Sequence, residues 1–153
     1  MREEKSLEKT IERSFKDPIA AILLKYSNMS RTQYECLIID YVTDNMTDKR
    51  LTYDEKVLFR SKKVSRGSFS RTLVQARGKI ISSIYTILLL VYVGIFDTAP
   101  FDEYKNLAEK LSEYLALIQI SDAVQAEQIL QRIERELLEG IRELASTRSL
   151  KNA

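Results

Sequence analysis

The 153-residue sequence has no histidine, one cysteine, four glycines and two prolines. Without His it lacks the commonest general base and a favoured zinc ligand. Cys36 alone builds neither an intrachain disulfide nor a structural zinc site, and a reducing, cytoplasmic setting fits it. Gly67 and Gly78 stand too far apart for a phosphate-binding loop, and no GK[ST] run occurs. Cys36 precedes Leu37, Ile38 and Ile39, so it reads as a packed small residue rather than a nucleophile. Acidic pairs such as Asp102-Glu103 fall at helix starts, where the helix dipole favours carboxylates. No spacing of Ser, Tyr and Lys argues for catalysis. The expectation is a protein that is not an enzyme and uses neither metal nor cofactor. The N-terminus begins with charges and no apolar signal core follows, so no secretory signal is expected.

Scarce Gly and Pro beside abundant Leu, Ile, Glu, Lys and Arg predict an all-α fold, and 44% hydrophobic residues can fill a core. Leu7, Ile11 and Phe15 recur at steps of four in a first helix. Asp17-Pro18 has the cap and first-turn proline of a second. Ser30 caps a third, with Tyr34, Leu37, Ile38 and Tyr41 expected on its apolar side. A short helix from Thr52 to about Ser61 follows, packing through Val57 and Leu58. Ser65 caps the next, in which Phe69, Leu73, Ala76 and Ile80 share one face. It is expected to run on to Phe96.

Residues 97–100 break the chain, giving an N-terminal unit of residues 1–96 and a helical hairpin over 97–153. The hairpin's first helix carries Tyr104, Leu107, Leu111, Tyr114, Leu115 and Ile118. Its second, opened by Ser121-Asp122, repeats Ala126, Leu130, Ile133, Leu137, Gly140 and Leu144 in a four-three rhythm. Residues 148–153 are expected to fray.

The formal net charge is only +2, but its distribution is uneven. Between Lys56 and Phe96 lie eight basic residues and no acidic one, leaving 16 of the 24 basic residues against all 22 acidic ones elsewhere. Such a block suggests a surface for a polyanion; a solvated charged face is the plainer alternative. On the helix from Ser65, Arg71 lies opposite the apolar face, with Ser68 and Gln75 beside it. A buried back and an Arg, Gln and Ser front suit a helix lying in the major groove.

Val64 to Ser68, followed by Ser70-Arg71-Thr72-Leu73, resembles the third helix of helix-turn-helix transcription regulators. Leu51-Thr52-Tyr53-Asp54-Glu55-Lys56-Val57 is similar to their second helix, and the helix from Ser30 would be the first of the three. Phe59 and Lys63 stand where family members usually carry a small residue and a Gly, which implies a longer or more open turn. The resemblance implies a sequence-specific regulator that binds double-stranded DNA. Ser68, Arg71 and Gln75 would then meet base edges. Arg60, Lys62, Lys63, Ser65, Arg66, Arg77 and Lys79 would meet phosphates. The alternative is a helical interaction or scaffold module whose basic block binds an acidic partner or an anionic membrane surface.

Residues 80–96 carry no charge over a length at the bottom of the spanning range, roughly 17–25 residues. They are expected to form a buried central helix rather than a membrane span, with Tyr85 and Tyr92, like Tyr34 and Tyr41, in the core. A homodimer through the segment after Pro100 is expected, because the last helix carries a stripe broader than one neighbour covers. The alternative is that this helix folds back on residues 80–96 and completes a monomeric bundle.

Overall fold

A computed structural model of the protein describes residues 1–96 and 101–144. Among the described residues the fold is all-α, with no strand. Helix α1 spans Arg2–Lys16, α2 Pro18–Tyr26 and α3 Arg31–Asn45. Helix α4, Tyr53–Lys56, is a single turn continued by a 3-10 turn over Val57–Phe59. Then come α5, Arg66–Tyr92, α6, Phe101–Ile120, and α7, Ala123–Leu144. The chain divides into two compact units, Met1–Ser83 and Ile84–Ala153. The expected break at residues 97–100 and the expected fraying of 148–153 lie outside the described residues.

Local chemistry accounts for the helix starts. The Asp17 carboxylate accepts from the Ile19 and Ala20 amides, and Pro18 occupies the first helical position, where its missing N–H costs nothing. Ser30 with Gln33 and Thr52 with Glu55 each form a reciprocal capping box. At the other end of α5, Gly94 takes φ 80°, its amide bonds to the Val91 carbonyl, and the Ile95 amide bonds to the Leu90 carbonyl. This pair of bonds satisfies the last carbonyls and stops the helix. It therefore ends near Tyr92 and not at Phe96.

The core of the first unit joins Leu7 and Ile11 of α1, Cys36, Ile39 and Val42 of α3, and Phe69 and Leu73 of α5. Burying each large apolar side chain contributes about 1.5–3 kcal/mol. The buried stripe of α3 is not the one its aromatic residues suggested. Tyr34 is half-buried, with its hydroxyl donating to the Ser14 carbonyl at 2.8 Å, and Tyr41 is exposed. The reason is that α3 packs on α1 and on α4 at once, and its buried side takes in four polar residues, Gln33, Glu35, Asp40 and Thr43. Thr43 satisfies its hydroxyl locally by donating to the Ile39 carbonyl at 2.7 Å.

The carboxylates of α3 gather cations from the segments that follow. Glu35 accepts from Arg31 Nε at 3.2 Å, from Ser61 Oγ at 2.8 Å and from the Arg60 guanidinium. Asp40 accepts from Lys56 Nζ at 2.8 Å and from Arg77 Nη2 at 2.6 Å. Lys56 also reaches Asp44 at 2.7 Å. Burial acts to lower the Lys56 pKa, but the hydrogen bonds and charges of Asp40 and Asp44 outweigh it and hold the ammonium above its ordinary value.

The expectation for residues 80–96 is corrected. Phe69, Leu73 and Ala76 are buried as expected, but Ile80 is 38% exposed. Ile84, Tyr85, Leu88, Leu89 and Tyr92 are more exposed still, so this run is not a core helix within the chain. In the second unit, α6 and α7 are joined by Ser121 and Asp122 and pack on each other as a hairpin. Among its described residues, Leu111 of α6 and Ile133 of α7 are the buried apolar ones.

Two outcomes follow for the ion pairs. Glu35→Leu strands the Arg60 guanidinium, whose side chain is 4% exposed, and should lower stability by about 3–5 kcal/mol in urea titration. Adding Arg60→Met should recover much of that loss, since the uncompensated charge is then gone. Because the Lys56 pKa is raised by folding, its contribution is complete below the unfolded value of about 10.4 and fades as pH rises through the folded one. The stability gap between the wild type and Lys56→Met should therefore stay constant up to about pH 10 and narrow above it.

Candidate nucleic-acid interface

The surface in question is built on the start of α5. Ser65 accepts from the Ser68 amide at 3.1 Å, and its carbonyl accepts from the Phe69 amide at 3.0 Å. The hydroxyl thus occupies the N-cap role that the sequence predicts. Phe69 is 1% exposed and meets the Tyr53 ring edge-on, with centroids 5.8 Å apart. This contact fixes the beginning of α5 against α4. Six non-helical residues, 60–65, link the 3-10 turn to α5. That link is longer than the three or four residues of a tight helix-turn-helix connection. Arg60 and Ser61 anchor it to Glu35, and Val64 packs against the core.

The opposite side of α5 faces solvent. Arg71 and Gln75 are exposed and Ser68 is half-buried, all on one face. A Cβ built on Gly67 would lie 3.3 Å from Arg71 Nη1, so the guanidinium folds back over Gly67 toward the start of the helix. That is the direction long helical side chains favour. It brings the charge to the end where the positive pole of the dipole also lies.

The expected phosphate ligands divide into two groups. Lys62, Lys63 and Arg66 are exposed and Lys79 is half-buried. Arg66 makes only a loose pair with Asp54 at 3.7 Å, both side chains being well exposed. Arg60 is corrected: it lies inside the protein against Glu35 and offers nothing to a phosphate. Arg77 is corrected in part: its side chain is 49% exposed, but its guanidinium is held by Asp40 at 2.6 Å. The basic block thus loses Lys56, Arg60 and Arg77 to internal carboxylates and keeps Lys62, Lys63, Arg66, Arg71 and Lys79 at its surface. Sequence reasoning missed this division. The available signal was the presence of Glu35 and Asp40 beside the apolar residues Cys36 and Ile39 in α3, since buried carboxylates require cations.

Other parts of the first unit carry different chemistry. A cavity of about 510 Å³ is lined by Glu3, Glu4, Glu8 and Glu55, together with Lys49, Leu51 and Leu58. Its acidic lining has the wrong sign for a polyanion. Cys36 is buried at 1% exposure, and burial pushes its thiol above the usual range, which suits packing rather than nucleophilic attack. The class that these features define is an all-helical protein with a cationic helix front. Comparison with family models, with curated proteins and with solved structures returns no match.

Removing the cap tests the foundation of this surface. Ser65→Ala should cost about 1 kcal/mol in chemical denaturation by leaving the Ser68 amide without its side-chain acceptor. A loss near zero would mean that water replaces the hydroxyl fully at this exposed position.

Proposed function

We propose that the chain is a sequence-specific, double-stranded DNA-binding protein, a transcriptional regulator, that reads the major groove with the first half of α5. The observation that carries this reading is the front of that helix. Arg71, Gln75 and Ser68 point away from the buried Phe69, Leu73 and Ala76, and cations with no strong internal partner flank them. Arg71 suits guanine through a bidentate fork, and Gln75 suits adenine through paired donor and acceptor. Lys62, Lys63, Arg66 and Lys79 bind phosphates, and so set register without reading sequence. The resemblance of Val64 to Leu73 to a recognition helix supports the same assignment.

The experiment is selection of bound duplexes from a random pool by the full chain. A defined site should be enriched. Arg71→Ala should then weaken that site by about 1–3 kcal/mol and relax one base position. Lys62→Ala should weaken all duplexes alike. Recovery of unselected sequence would favour instead a module whose basic block takes an acidic partner. An unchanged site preference in Arg71→Ala would remove Arg71 from the reading face.

A further inference from the structure

Few of the described apolar side chains of the second unit, Ile84–Ala153, are buried. Among its described residues, Leu111 and Ile133 are the only buried apolar side chains, whereas fourteen large apolar residues are exposed. The pairing of α6 with α7 does not cover them, for Leu117, Val124 and Ile141 remain 49%, 67% and 53% exposed. On the end of α5, Ile84, Leu88 and Val91 recur at steps of four and three, the rhythm of a helix–helix seam. In sum the exposed apolar area is on the order of 1,000 Å². The roughly 800 Å² that each partner contributes to a standard interface lies within that sum.

We propose that a second copy of this chain covers this surface, so that the second unit is one half of a two-fold core. Obligate homodimers have interfaces that resemble a domain core cut in two, and a two-fold axis brings identical stripes together. The interface begins at Ile84, ahead of the segment after Pro100 from which the sequence expectation starts it.

The other cover for an apolar helix is a bilayer. By length and composition, α5 is the one described helix that could cross it. Its charge-free helical part runs only from Ile80 to Tyr92, between Lys79 and the Gly94 terminus. At 1.5 Å per residue that part is about 20 Å long, against a hydrocarbon thickness of about 30 Å. A span would also leave the α6 and α7 stripes uncovered in water.

This inference does not rest on the DNA reading, and its test needs no nucleic acid. Sedimentation equilibrium of the full chain without detergent should give twice the 17.7 kDa chain mass. The melting temperature should rise with protein concentration. Leu88→Glu combined with Leu117→Glu should lower the mass to that of one chain while the helical circular dichroism of the first unit persists. A monomeric wild type at micromolar concentration overturns the proposal, whatever the variant does. So does a dimer that the two substitutions leave intact. Recovery of native protein only with detergent or lipid vesicles assigns the surface to a bilayer and overturns it as well.

Discussion

Burying a carboxylate is affordable only when cations and donors surround it, and α3 buries two. Glu35 and Asp40 would each cost several kcal/mol if left alone in the interior. They are stabilised by groups that arrive from later in the chain: Lys56 from α4, Arg60 and Ser61 from the link, and Arg77 from α5. The positions of those segments are therefore not independent. Shifting α5 along its axis separates Arg77 from Asp40, and moving the link uncovers Glu35. The apolar core to which Phe69 and Leu73 belong contributes favourable burial energy, while the ion pairs specify which arrangement of these segments is compatible with buried charge.

This constraint also shapes the surface. Eight cations lie between Lys56 and Phe96, and three are turned inward by α3. Those that stay outside sit just before α5 and along its exposed front. Arg71 is directed back over Gly67, toward the start of the helix, where the positive pole of the dipole also lies. The proposed DNA reading draws on this smaller set rather than on the net charge of the block.

Much of the fold was legible because its signals are local. Asp17-Pro18, Ser30 with Gln33, Thr52 with Glu55, and Ser65 mark helix starts through hydrogen bonds made within a few residues. The stripe of Phe69, Leu73 and Ala76 follows from helical period alone. What was not legible depended on distant partners. The buried side of α3 is set by two neighbouring helices, so choosing the aromatic stripe with Tyr41 picked an exposed face. Arg60 looks like Lys62 in sequence; only Glu35, far earlier in the chain, separates an internal ion pair from a surface cation. The apolar run from Ile80 gave its composition truly but not its cover. A charge-free helix is equally consistent with an internal core, a bilayer or another chain, and among the described residues it stands exposed.

The central claim is that α3 withdraws part of the basic block and leaves a small cationic front for duplex DNA. The dependence of binding on salt tests it most directly, since each neutralised phosphate adds about −0.9 to the slope of log K against log salt concentration. Titration of the full chain with a duplex carrying its selected site should give a slope per chain of roughly −4, for Lys62, Lys63, Arg66 and Lys79. A slope of roughly −6 or steeper would mean that Lys56, Arg60 and Arg77 also reach phosphates and would contradict the account, as would binding that salt does not weaken.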